Sequence, residues 1–126
     1  MPIKVSGFSL IEVLVSLLIL SWLLLGLAVL EVNSMRQARI ILLFNLAANQ
    51  LANLSERVFA SVGIETQPTI TSWNSENKTI LPKGIGDLEG QFPNYQLTIE
   101  WGAYVNHCDT TLIGESGCIT EKLSVG

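Results

Sequence analysis

The sequence predicts an α+β protein in which one long N-terminal helix packs on a small antiparallel sheet. Apolar residues recur at helical spacing through the first half of the chain, and two segments near the C-terminus alternate apolar with polar residues, as half-buried strands do. The chain has 126 residues, so we expect one small domain beyond the N-terminal apolar stretch.

The N-terminal apolar stretch has the length of a membrane span. Between Phe8 and Leu30 the only charged side chain is Glu12, and residues 13–30 carry no charge. At the helical rise, this uncharged run spans about 27 Å, close to the hydrocarbon thickness of a bilayer. We therefore expect residues 8–30 to form the membrane-spanning half of a helix, in contact with a lipid bilayer.

The flanks of this stretch argue against a secretory signal peptide. Such a peptide has a shorter apolar core, followed by a cleavage site of small residues. No such site follows Leu30, and the one junction of small residues, Ser6-Gly7, precedes the apolar run. Cleavage after Gly7 would remove residues 1–7, including Lys4, and leave the apolar helix intact.

A nine-residue motif begins at Gly7 and reads Gly-Phe-Ser-Leu-Ile-Glu-Val-Leu-Val. It resembles the class III signal of type IV prepilins and of type II secretion pseudopilins. The resemblance implies a pilin-like fold and a leader over residues 1–7. It also implies cleavage between Gly7 and Phe8 by prepilin peptidase, N-methylation of Phe8, and subunit docking through Glu12.

The position of Glu12 can also be interpreted physically. A carboxylate within a membrane span costs roughly 2.5–3.5 kcal/mol, so such residues usually have a partner. After cleavage the Phe8 amine would lie one turn from Glu12, near enough for partial neutralisation. In a filament, Glu12 would pair with the Phe8 amine of a neighbouring subunit and set the axial register. The alternative is a shallow Glu12 that reaches the headgroups without a partner.

The helical pattern continues over residues 31–62 and becomes amphipathic there. We expect the apolar stripe to pack on the protein's own domain, and we expect Gly63 to end the helix. The sequence thus predicts one helix over residues 8–62. Its stripe in the second half consists of Leu43, Ala47, Leu51, Leu54, Val58 and Val62.

Parts of this helix resemble the type IV pilus modification protein PilV, a family of minor pilins. The resemblance rests on residues 24–30, 34–36 and 55–58, and it covers residues 1–62. Trp22-Leu23 and Val58 depart from the family pattern. The resemblance implies assembly with other minor pilins, the major pilin and the inner-membrane pilus machinery, at or near the pilus tip.

The expected exported β-domain covers residues 63–126. Residues 63–93 are rich in Thr, Ser, Asn, Pro and Gly, which predicts an irregular connection. Within it we expect Trp73 to be a core residue, the alternative being an adhesive residue. Alternating residues predict strands over 95–101 and 119–125. A disulfide between Cys108 and Cys118 is expected to close the polar segment between the strands, the alternative being two free thiols.

Composition argues against several other functions. The net charge is −4 and the basic residues are scattered, so direct nucleic-acid binding is not expected. His107 beside Cys108 lacks the further ligands of a zinc site, so no metal is expected. No catalytic motif is present in the sequence. We therefore expect a structural subunit with no cofactor, and not an enzyme.

The basic residue before the apolar run predicts the orientation of the helix in the membrane. Lys4 favours a cytoplasmic N-terminus, which puts the C-terminal domain in the periplasm of a bacterial inner membrane, and later on the pilus. Two alternatives remain open. One is a minor pseudopilin of a type II secretion system, and the other is a single-pass membrane protein with an exported binding domain that never polymerises.

Overall fold

The computed structural model describes residues 7–61, 67–103, 108 and 112–126. The four strands within these ranges form one antiparallel sheet, in which the second strand of the chain pairs with the first and the fourth, and the fourth also pairs with the third. The α+β prediction is therefore confirmed. The chain divides into two units, Met1–Gln37 and Ala38–Gly126. The elements in chain order are α1 Leu10–Ala60, α2 Gln67–Ile80, β1 Ile85–Gln91, β2 Asn94–Trp101, β3 Leu112–Ile113 and β4 Ser116–Ser124.

Helix α1 is close to the predicted length, beginning at Leu10 and ending at Ala60. No proline interrupts it, and the Ser61 N–H still donates to the Arg57 carbonyl at 3.0 Å in the last turn. The expected stop at Gly63 and the last stripe residue, Val62, lie outside the described residues.

The predicted stripe on α1 is buried in the second unit, as expected. It forms one apolar cluster with alternate residues of β2, Leu97, Ile99 and Trp101. The apolar stripe of α1 and the apolar face of β2 therefore pack together in one core. The buried stripe residues of α1 are Leu43, Ala47, Leu51, Leu54 and Val58.

The irregular connection predicted over residues 63–93 is wrong, because the structure places α2 and β1 in this stretch. The abundant Ser, Thr and Asn have low helix propensity, which explains the expectation. Packing overrides that propensity, since Trp73 and Asn77 of α2 are fully buried at helical spacing. Pro68 is tolerated because it lies in the first turn, where the backbone N–H has no helical partner.

Trp73 is a core residue, as predicted, and it connects three elements. Its indole Nε1 donates to the Gln50 carbonyl of α1 at 3.0 Å. Its ring lies against Gly86 of β1, where an added Cβ would overlap the ring. The Asn74 side chain then holds Gly86 from the same helix, accepting from its N–H at 2.7 Å and donating to its carbonyl at 2.8 Å.

A polar contact also joins the two helices. The Arg57 guanidinium of α1 donates to both carboxylate oxygens of Glu76 of α2 at 3.1 Å, and its Nε donates to Asn53 at 2.9 Å. Both members of the ion pair are partly exposed, so the pair orients α2 more than it stabilises the domain.

The second predicted strand corresponds to β4, which begins earlier than expected, at Ser116. It pairs with β2 along its length, with Ile119 opposite Ile99 and Thr120 opposite Thr98. Ile119 and Leu123 pack against the core while remaining partly exposed, and Val125 is buried just beyond the strand.

The close packing of Trp73 on Gly86 yields a stability prediction. Gly86→Ala should lower the free energy of unfolding by about 1–3 kcal/mol, because the new methyl group overlaps the indole ring. In a Trp73→Phe background, which lacks the overlapping ring atoms, the same substitution should cost clearly less. Denaturant unfolding of the full chain in detergent, followed by circular dichroism, measures both costs. Equal costs in the two backgrounds would contradict this packing.

Candidate functional site

The N-terminal helix start is built around Ser9. Its carbonyl accepts from the Glu12 N–H at 2.9 Å and from the Val13 N–H at 3.3 Å, so Ser9 is the N-cap of α1. Glu12 then occupies the third helical position, where the positive end of the helix dipole favours a carboxylate. Sequence reasoning missed this role of Ser9, although Ser-x-x-Glu is a known capping pattern.

The Glu12 carboxylate projects from an otherwise uncharged surface. Among the residues that the structure describes, none hydrogen-bonds or pairs with this carboxylate. The predicted partner within the chain is the free Phe8 amine, which exists only after residues 1–7 are removed. Pairing of Glu12 with that amine therefore stays a prediction.

The two serines of the apolar stretch are satisfied within the helix. Ser16 Oγ donates to the Glu12 carbonyl at 2.7 Å, and Ser21 Oγ donates to the Leu17 carbonyl at 2.8 Å. Such bonds let a hydroxyl lie in hydrocarbon without another partner. Neither serine hydroxyl therefore needs a further hydrogen-bond partner outside the helix.

The apolar side chains of the first unit are exposed on every side of the helix. Phe8 is 84% exposed and Trp22 is 74% exposed. By length and composition α1 could cross a membrane, and it is the one such helix within the described ranges. A surface of this kind requires an apolar environment, which lipid or other apolar helices can supply.

The predicted Cys108–Cys118 disulfide is present, with Cα atoms 5.4 Å apart. Cys118 is 1% exposed, whereas Cys108 is partly exposed. The side chains of Cys118 and Thr120 point to one face of the sheet, and Ile119, which packs against the core, points to the other. The disulfide therefore lies on the sheet face that points away from α1.

Polar groups surround the two sulfur atoms. Thr120 Oγ1 donates to Cys108 Sγ at 3.0 Å, and Glu100 Oε1 lies 3.9 Å from Cys118 Sγ. Thr98 and Thr120 hydroxyls are 3.3 Å apart across the strands. These contacts fix Cys108 over β4. His107, which adjoins it in sequence, lies outside the described residues.

A cavity of about 440 Å³ opens at one end of the sheet. Glu89 of β1, Gln96 of β2 and Lys122 of β4 line it as a row across three neighbouring strands. No metal-binding group of three His, Cys, Asp or Glu side chains occurs in the part of the chain that the structure describes. We assign no chemistry to this cavity.

The structure thus distributes the predicted residues over the two units. Gly7, Phe8 and Glu12 lie at the start of the first, and Cys108 and Cys118 lie in the second. Residues 1–6 of the expected leader are outside the described ranges.

Comparison with known proteins supports the assignment of the N-terminal segment. Residues 3–28 match the family described as the prokaryotic N-terminal methylation motif. This match supports the prepilin superfamily and a type IV pilin-like protein. No significant match was found among curated proteins. None was found among solved structures.

The disulfide yields a second stability prediction. Replacing both cysteines, Cys108→Ala with Cys118→Ala, should lower the free energy of unfolding by about 2–3 kcal/mol, because the cross-link no longer restricts the unfolded chain. Denaturant titration of the full chain in detergent measures the difference. In the denaturant titration, where unfolding exposes both sulfur atoms, a reductant should destabilise the parent and leave the double variant unchanged. An unchanged midpoint in the double variant without reductant would contradict the prediction.

Proposed function

We propose that this chain is a PilV-like minor pilin, a structural subunit that takes part in assembling a type IV pilus. The observation that carries the proposal is Glu12. It is the one charged side chain of the exposed apolar helix surface, it lies one turn after the Gly7–Phe8 junction, and it falls within the segment that matches the methylation motif. The motif also suggests a structural subunit and not an enzyme.

Processing would give Glu12 its partner. Cleavage after Gly7 by prepilin peptidase leaves the Phe8 amine as the new N-terminus, and N-methylation keeps its positive charge. In a low-dielectric environment such a pair attracts strongly. Within one subunit the amine and Glu12 partly neutralise each other. In the filament Glu12 pairs with the Phe8 amine of a neighbour, which fixes the axial position of the subunit.

The remainder of the chain suits export on a membrane anchor. The apolar half of α1 holds the subunit in the bacterial inner membrane, with the N-terminus cytoplasmic and the domain periplasmic. The disulfide supports this topology, because such bonds persist in oxidising compartments. Extraction from the membrane then carries the domain to the cell surface, at or near the pilus tip.

The intact mass of the protein purified from its host tests processing. We expect the mass of residues 8–126 plus one methyl group and minus the two hydrogens lost to the disulfide, under non-reducing conditions. The matched control is a strain without prepilin peptidase, in which the full-length mass should persist. A full-length mass in the presence of the peptidase would overturn the proposal.

Replacing the carboxylate tests docking. Glu12→Ala and Glu12→Gln should each reduce the amount of this subunit in sheared pili by about tenfold, because the buried amine of the neighbour loses its partner. Glu31→Ala, which removes the next carboxylate of the same helix, should have little effect. Quantitative immunoblots of the pilus fraction give the ratio. Wild-type incorporation of Glu12→Ala would exclude the docking role.

The subunits that co-purify with the mature chain distinguish a type IV pilus from a type II secretion system. Recovery of other minor pilins with the mature chain agrees with the proposal. Recovery of type II secretion pseudopilins instead would assign the same processed, membrane-anchored subunit to a secretion system.

A further inference from the structure

The edge of the sheet formed by β1 is closed by side chains. The Gly86 N–H and carbonyl that point away from β2 are both bonded to Asn74 of α2. Two residues further along the same edge, the Leu88 N–H donates to Asp87 Oδ1 at 2.9 Å. Because unpaired strand edges can pair with another chain, these contacts protect much of the β1 edge from strand addition.

The opposite side of the sheet differs, because β3 covers only the beginning of β4. The two residues of β3 pair with Ser116 and Gly117. Among the residues that the structure describes, those from Cys118 to Ser124 pair with β2 alone. Within the described ranges, no other strand lies beside this second part of β4.

The register shows which backbone groups of β4 point outward. In an antiparallel ladder, residues that exchange hydrogen bonds with the neighbour alternate with residues that do not. The Val125 N–H, just after β4, donates to the Pro93 carbonyl on the β2 side at 2.7 Å. Counting back in steps of two, Leu123 and Glu121 also direct their backbone groups to β2. The residues whose N–H and carbonyl groups point outward are Thr120, Lys122 and Ser124.

The side chains along this edge of β4 are only partly covered by the rest of the domain. Ile119 and Leu123 face the core side and are only partly buried, so the margin of the apolar core is open at β4. Lys122 is exposed on the other face, and none of the described acidic residues forms an ion pair with it. We define the open edge as the stretch of β4 from Thr120 to Ser124.

We propose that the open edge binds an extended segment of a different pilin-like subunit by β-strand addition. The backbone of the added strand bonds to the outward groups of the open edge, as in other complexes of this type. Its apolar side chains pack beside Ile119 and Leu123, and an acidic side chain of the strand lies beside Lys122. The proposal rests on the proposed function, which supplies such neighbours.

A second copy of this chain fits the open edge less well. Its β1 edge is closed at Gly86 and Leu88, so it offers only its own open edge for pairing. That edge brings another Lys122. Its one acidic residue, Glu121, points to the core side of the sheet, whereas Lys122 points to the other face, so Glu121 does not lie beside Lys122. Charge complementarity therefore favours a different subunit.

Amide hydrogen exchange in the isolated full chain tests whether the edge is open. In detergent micelles, the Lys122 and Ser124 amides should exchange about 100-fold faster than the Glu121 and Leu123 amides, which bond to β2. The alternating pattern contains its own control, since all four residues lie on one strand. Slow exchange at Lys122 would mean that the chain covers its own edge, and it would overturn the proposal.

Photocrosslinking in the host tests the partner. A benzophenone amino acid in place of Ser124 should give an adduct with a different pilin-like subunit, identified by mass spectrometry. The same probe in place of the exposed Lys78 of α2 should not. Adding Lys122→Glu should lower the Ser124 adduct about tenfold, whereas adding Lys78→Glu should leave it unchanged. No adduct at Ser124, or an adduct of two copies of this chain, would overturn the proposal.

Removal of the leader distinguishes failure of strand addition from failure of the proposed function. The intact mass of the protein in the crosslinking sample is therefore also measured. If residues 1–7 have been removed and Ser124 gives no adduct, strand addition is wrong and the proposed function stands. If residues 1–7 are still present when the peptidase is active, the proposed function fails, and strand addition to a neighbouring pilin-like subunit fails with it.

Discussion

The change in surface character along α1 is the constraint on which the rest of the structure depends. The first part of the helix exposes apolar side chains on all sides. The second part confines its apolar residues to one stripe, and β2 covers that stripe with Leu97, Ile99 and Trp101. A helix can satisfy its backbone hydrogen bonds internally in either environment, which allows one element to serve both. The sheet and α2 pack on this second part of α1, and the disulfide lies on the opposite face of the sheet.

Sequence reasoning succeeded where a single periodic pattern dominates. The α1 stripe and the alternation in β2 are long enough for the period itself to identify the element, and both packed as expected. The cysteine pair was predictable because two cysteines allow only one disulfide within the chain. These features depend on residues that are close in sequence or unique in type.

The failures have a common physical cause. Helix α2 is rich in Ser, Thr and Asn, which have low helix propensity. It is stabilised by Trp73, which contacts Gln50 of α1 and Gly86 of β1. Strand β1 contains Gly86 and Gly90, which weaken a strand pattern. Gly86 permits close approach of the indole, and Gly90 adopts a positive φ within the strand. Tertiary contacts determine both elements, so local pattern reasoning could not find them. The N-cap at Ser9 was different, because its signature was present in the sequence and was overlooked.

The unequal burial of the two sulfur atoms affects the chemistry of the disulfide. Exchange begins when an external thiolate attacks one sulfur and expels the other as a thiolate. Cys118 is 1% exposed, so attack is directed to Cys108. The leaving group is then a Cys118 thiolate that is buried and lies beside the Glu100 carboxylate, and both features disfavour its negative charge. The cross-link therefore resists nucleophilic opening from the accessible side as well as from the buried one.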